Sequence, residues 1–244
     1  IQCEREQKQP FNFIRKFVYR CYLKYVVDKI TVESTIGEKF LREHYGLDDS
    51  KLLYIPNGID DRYLSHVPIG SLDKKENIIL TVGRIGTYQK NSEMLLAACK
   101  QVDWRDDWKL YVVGPCTEEF REKITEFYAE THLQNRVVFT GPIYDKKELS
   151  RLYNRAKIFC LTSRYESFGI VCVEAQSYGD YFISTPIVTA IDFNPNQKIG
   201  RIVETAEELA EQINHLIDNP NLLEEAFPEI LQHAKQFRWS TITE

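Results

Sequence analysis

A parallel β-sheet with helices on both faces is the architecture this 244-residue chain predicts, on three observations. From residue 76 onward, short apolar runs alternate with longer amphipathic ones, the rhythm of repeated βα units. The apolar runs, as at 78–82 and 158–161, have the unbroken character of strands buried on both sides. Several of them stop at a glycine, Gly83, Gly114 and Gly141, where a strand gives way to a loop. Together these predict an α/β, Rossmann-like, doubly wound sheet, whose ligands bind beyond the carboxyl ends of the strands.

The elements follow in order. Residues 11–26, FNFIRKFVYRCYLKYV, read as a helix rich in aromatic and basic groups. It is either a membrane-surface helix with its cations toward anionic lipid or, the reading favoured, a helix packed on a sheet with a solvated basic edge. A short strand is expected at 29–32, and a helix at 35–45, capped by Ser34 and stopped by Gly46. A second strand lies at 52–55, and Pro56-Asn57-Gly58 is a strong turn signal. Residues 60–75 lack periodicity and read as linker. Strands are then expected at 78–82, 109–113, 136–139, 158–161, 181–184 and 201–203, with helices at 92–101, 118–131, 146–155, 170–178, 207–217 and 222–236.

Composition narrows the function classes. At 43 % hydrophobic and 27 % charged the chain is ordinary for a globular protein, and a net charge of −5 argues against nucleic-acid binding through overall charge. No apolar run reaches the length of a transmembrane helix, and the polar start, IQCEREQKQ, does not read as a secretory leader. The six cysteines show no CxxC spacing; Cys160 and Cys172 fall in apolar runs and are expected to be buried free thiols.

The chemistry concentrates in 158–180, IFCLTSRYESFGIVCVEAQSYGD, a strand, a polar turn and a helix start. Glu166 lies before the helix and Glu174 inside it, and the amides of Gly169 and Ile170 would point out of its N-terminus toward an anion. Eight residues of helix span roughly 12 Å. That reach suits a ligand with hydroxyls at both ends and a diphosphate between, such as a nucleotide sugar; the plain alternative is two solvated glutamates. The loop VGRIGTYQKN brings Arg84 and Lys90 to the same rim, able to grip a diphosphate as a fork and a point charge. Ser163 offers a hydroxyl or serves the turn. There is no Asp-x-Asp triplet, no GxxxxGK[ST] loop and no GxGxxG. The leaving phosphate is therefore expected to be neutralised by the two cations and the helix terminus, with no metal or other cofactor.

These pieces resemble glycosyltransferase family 4, retaining enzymes of the GT-B fold, over about 27–239. In order they are Pro56-Asn57-Gly58-Ile59-Asp60, VGRIGTYQK, KLYVVG, VVFTG, ELSRLYNRAKIFCLTS and ESFGIVCVEAQSYG. The resemblance implies a hexosyl-type transferase that moves a sugar from a nucleotide-diphosphate donor to a glycan or lipid-linked acceptor with retention of configuration. Arg84 and Lys90 match its diphosphate-binding pair, and Glu174 its ribose-binding carboxylate. Glu166 matches the carboxylate at the transferred sugar and reacting carbon. Phe168, Gly169 and Ile170 match positions whose backbone faces sugar and phosphate, and Tyr144 lies where the nucleobase passes. Departures are Tyr181 where the family often has Pro, and 184–192, STPIVTAID, where Gly-Gly and then Glu are common.

The implied organisation is 1–56 as the end of an N-terminal acceptor domain, 57–75 as interdomain linker, 76–236 as the donor-binding domain and 237–244 as a tail crossing back. With so little of an acceptor domain, the chain is expected to bind donor and transfer poorly alone. A cytoplasmic location with peripheral contact at the inner membrane face is the corresponding expectation. Two rivals remain: a binding module of the same fold without turnover, and another GT-B enzyme such as a sugar-nucleotide epimerase or a phosphorylase.

Overall fold

In the computed structural model, residues 12–243 apart from His66 and Asp106 are described. The start IQCEREQKQ, Phe11 of the first expected helix, Cys3 and Glu244 lie outside them, as does Asp106. The chain divides into two compact units between Asn57 and Gly58.

The first unit has helices α1 (Asn12–Tyr25) and α2 (Thr35–Tyr45) and a parallel pair, β1 (Ile30–Val32) and β2 (Leu52–Tyr54). Ser34 Oγ accepts from the Gly37 amide, and Gly46, in the left-handed region at φ 64°, donates to Arg42 O, so the expected cap and stop both form. Leu23, Leu47 and Leu52 make a small core. The favoured packing of α1 is not seen: Phe17, Val18 and Tyr25 are exposed at 61, 59 and 74 %, and Leu23 is the one buried residue of 15–25. Two short strands offer too little surface to cover a helix that is apolar nearly all round.

The second unit carries a six-stranded parallel sheet in the order β5-β4-β3-β6-β7-β8. The strands are β3 (Ile78–Val82), β4 (Lys109–Val113), β5 (Val137–Gly141), β6 (Ile158–Leu161), β7 (Tyr181–Ser184) and β8 (Gly200–Ile202). The helices are α3 (Asp61–Ser65), α4 (Ser92–Cys99), α5 (Glu118–Thr131), α6 (Lys146–Arg155), α7 (Ile170–Ser177), α8 (Ala190–Phe193), α9 (Ala206–Asp218), α10 (Asn221–Ala234) and α11 (Trp239–Ile242). Strand order runs outward both ways from β3 and β6, the doubly wound pattern expected, with the switch point between them.

Side chains alternate across this sheet. Ile79, Leu110 and Ile183 enter a core with α4, α5, α9 and α10, while Ile78, Leu80, Phe159 and Phe182 enter another with α6, α7 and Phe237. The central strand β6 (IFCL) is apolar throughout, and β3 and β7 nearly so, because they feed both cores. β5 and β8 sit one residue from their expected starts, and α8 falls in 184–192, where no helix was expected. Its Ala190 and Phe193 are core residues, so burial rather than periodicity makes the turn.

All of the expected linker, 57–75, except Asn57 is built into this unit. Ile59, Leu64 and Val67 are in the core, and α3 and a 3₁₀ turn (Leu72–Lys74) lie within the stretch. A three-turn amphipathic pattern cannot show in helices this short, which is why the sequence reads as aperiodic. The tail is held in the same unit: Ile59 N donates to Phe237 O at 2.8 Å, Trp239 N donates to Ile59 O at 3.1 Å, and Phe237 is buried.

Candidate functional site

At the carboxyl ends of β3 to β6 the loops open around a cavity of about 480 Å³. It is lined from the β3 loop by Arg84, Gln89 and Lys90, from the β4 loop by Gly114 and Pro115, and from the β5 loop by Pro142, Ile143 and Tyr144; β6 and α7 add Glu166, Ser167 and Val171. This is the crevice at the switch point, where open parallel sheets bind ligands. Gly114, at φ 142°, lets the ends of β3 and β4 close up, since a Cβ there would collide with the Gly83 carbonyl. Gly83 leaves room for the Lys90 stem: a Cβ would lie 3.0 Å from Lys90 Cε.

The polar end of the cavity is a hydrogen-bonded cluster. Lys90 Nζ pairs with Glu166 Oε1 at 2.5 Å, with side chains 14 and 9 % exposed. Ser163 Oγ donates to the same oxygen at 2.6 Å, and Gln89 Nε2 donates to Oε2 at 3.3 Å and to Tyr165 O at 3.1 Å. Arg84, exposed, donates from Nη2 to Gln89 Oε1 at 2.5 Å. Main-chain bonds lock the two loops together: Arg164 N donates to Gln89 O at 2.8 Å and Thr162 Oγ1 to Lys90 O at 3.0 Å. The Arg164 guanidinium covers the Tyr88 ring at 4.3 Å.

The helix start comes next to this cluster. Gly169, at φ 91°, is the residue before α7, and a Cβ on it would sit 3.8 Å from Glu166 Cγ. Cys172 N already donates to Gly169 O at 2.9 Å, but the amides of Ile170 and Val171 have no acceptor within their own helix and present positive potential at its start. Val171 lines the cavity, and Glu174, three residues on, shares its face of α7. Tyr153 Oη donates to Glu174 Oε2 at 2.9 Å, and burial pushes the Glu174 carboxyl above its ordinary range, opposed by that bond and by Lys146.

Thus Arg84, Lys90 and Glu166 meet in one wall, Gly169 and Ile170 adjoin it, and Glu174 follows along the helix. Tyr144, 86 % exposed, stands at the mouth. Phe168 directly precedes Gly169, and its backbone is the part expected to face sugar and phosphate. Its ring is 2 % exposed and packs edge-on against Phe193 and Phe237, with centroids 5.3 and 6.1 Å away. Its carbonyl accepts from Thr189 Oγ1 at 2.5 Å, which helps to hold the turn before α7. Gln89 and Tyr153 were not singled out from sequence. Gln89 stood between the two cations in VGRIGTYQK, but its contacts to the β6 loop are made 76 and 77 residues away.

Cys160 and Cys172 are buried and free, as expected, and so is Cys99; burial raises all three thiols, Cys99 to about 12. Among the described residues no group of three or more His, Cys, Asp or Glu side chains is arranged to hold a metal. No helix among them is long and apolar enough to cross a membrane.

Known proteins resemble both sequence and fold. The family model described as "Glycosyl transferases group 1" matches residues 66–229. The "Amylovoran biosynthesis glycosyltransferase AmsD" of Erwinia amylovora is 30 % identical over 185 residues, covering 73 % of this chain and 48 % of that protein. The "D-inositol 3-phosphate glycosyltransferase" of Rhodococcus jostii is 26 % identical over 227 residues, covering 87 % and 50 %. The chain thus spans about half the length of the curated relatives it matches. A glycosyltransferase structure from Rickettsia africae superposes with TM-score 0.76 at 23 % identity, covering 92 % of this chain and 64 % of that one. Anabaena HepE in complex with UDP superposes with TM-score 0.74 at 19 % identity, covering 96 % and 67 %. The family model spans most of the α/β unit, including every residue of the cavity wall, and on that match the chain belongs to the group 1 glycosyl transferases.

Proposed function

We propose that this chain is the donor-binding part of a retaining glycosyltransferase that uses a nucleotide-diphosphate sugar without a metal. The carrying observation is that Arg84, Lys90 and Glu166 share one cavity wall beside the start of α7. Lys90, Arg84 and the first amides of α7 hold the diphosphate, Glu174 accepts from the ribose hydroxyls and Glu166 from the sugar. Tyr144 and the apolar wall of Ile143 and Leu149 face the base. For the phosphates to reach Lys90 Nζ, the lysine gives up part of its bond to Glu166, which keeps its donors from Ser163 and Gln89.

In the reaction the acceptor oxygen bonds to the anomeric carbon on the face the phosphate leaves, and the carbon–phosphate oxygen bond breaks. The departing diphosphate takes the acceptor proton, and configuration is retained. The positive groups at the loop and helix start stabilise the charge that develops on the leaving oxygen. Acceptor contacts come from a further domain such as the relatives' additional length can supply, so this chain alone binds donor with little transfer. The exposed aromatic and basic face of α1 supports a peripheral contact with anionic lipid on the cytoplasmic side, which vesicle co-sedimentation tests.

Calorimetric titration with UDP, GDP and ADP, each with and without EDTA, tests the donor site. One nucleotide is expected to bind preferentially and to be insensitive to EDTA. Absence of binding by all three removes the reading, and a metal requirement removes its cation-only form.

A further inference from the structure

Glu174 sits in a polar pocket within an otherwise apolar core. From α6 it is faced by Tyr153 and, at longer range, the ammonium of Lys146; from α3 by Tyr63; from its own helix by Cys172 and from just past its end by Tyr178. Among these only Tyr153 hydrogen-bonds to the carboxylate. The Tyr153 side chain is fully buried, and its ring lies parallel to Tyr178, 6.3 Å away at 2°, and tilted against Phe159 at 6.0 Å. The phenol therefore has one direction in which to donate. It takes Oε2, while Oε1 of Glu174 carries no hydrogen bond from the described residues and is not sealed from solvent.

We infer that Tyr153 is the positioning residue for Glu174, fixing Oε2 so that Oε1 is presented, ionised, to a ligand with a vicinal diol, the ribose of a ribonucleoside diphosphate. The inference rests on the nucleotide reading above and deepens it. A carboxylate held on one oxygen by a buried donor costs a ligand less ordering than a free one. The bond also matters for charge. Burial raises the Glu174 carboxyl, and the phenol and Lys146 oppose it; without the phenol the carboxyl rises further and stays protonated to higher pH. A protonated carboxyl is a poorer acceptor for the diol, so affinity falls at the acid end, earlier in the variant.

The test is calorimetric binding of UDP and 2′-deoxy-UDP, or the matching pair for the preferred base, from pH 5 to 8. Tyr153→Phe keeps the ring and its stacking. It is expected to weaken the ribonucleotide about three- to tenfold at pH 7, in line with loss of a hydrogen bond to a charged group. It should shrink the preference for ribo over deoxy and move the acid limb of the affinity profile to higher pH. Tyr178→Phe, equally buried and stacked on the same ring, should leave preference and limb as in wild type. The inference is overturned if Tyr153→Phe keeps the wild-type limb and preference, or if Tyr178→Phe moves them as far. Glu174→Gln separates the two layers: if it retains the wild-type ribo preference, the nucleotide role of Glu174 itself falls, whatever Tyr153 does.

Discussion

Two lysine–carboxylate pairs in the second unit make an instructive contrast. Lys75 and Asp180 meet at 2.7 Å with both side chains wholly buried. Lys75 Nζ also donates to Ala156 O at 2.5 Å and Tyr153 O at 3.2 Å, so its three donors are all used. Burial still pushes the Asp180 carboxyl up to about 7. Lys90 and Glu166 meet at 2.5 Å, yet they line the cavity, and the carboxylate has further donors in Ser163 and Gln89. The first pair has nowhere to go and ties the chain before β3 to the α6–β6 and α7–β7 junctions. On the proposed donor reading the second would trade partners, phosphate for Lys90 and the neutral donors Ser163 and Gln89 for Glu166. Burial alone does not separate the two pairs; what does is the cavity beside one of them and the further donors on its carboxylate.

That contrast is open to direct attack. The largest effect belongs to Lys75→Met, which leaves Asp180 buried without its cation and should cost about 3–5 kcal/mol of stability. Urea denaturation reads this, and a loss under about 1 kcal/mol would erase the distinction. Lys90→Met should leave the urea midpoint close to wild type while weakening nucleoside diphosphate about 10- to 100-fold, the loss of one charged hydrogen bond. Glu166→Gln removes the anion that competes for Lys90. Diphosphate without sugar should bind about two- to fivefold more tightly to it, as measured by calorimetry. The smallest change is with salt: going from low to high ionic strength should weaken diphosphate binding at the open pair more than it shifts the stability conferred by the sealed one.

Much of this was legible in sequence, unevenly. The βα rhythm placed β3, β4, β6, β7, α5 and α6 because strands fed from both cores are mostly apolar runs and the helices between them are amphipathic. The loops carrying Arg84, Lys90 and Glu166 followed from strand ends alone. What sequence hid was long-range or local in the wrong way. Lys75 read as one more cation at the end of an aperiodic stretch, and nothing near it announced a partner 105 residues away. The core role of the Phe168 ring was not visible in its motif, since its neighbours Phe193 and Phe237 converge only in the fold. Tyr153 looked like any apolar position on α6; its phenol matters only because α7 passes beside it.

The central claim is that the crevice between the β3 loop and the start of α7 receives a diphosphate. A crystal structure of the chain with the nucleoside diphosphate it prefers is the most direct measurement. Phosphate oxygens within hydrogen-bonding distance of Lys90 Nζ and the first amides of α7, with the Lys90–Glu166 contact lengthened, is the expected result. A nucleotide bound elsewhere, or bound here with that contact intact and no phosphate on the lysine, would contradict the account.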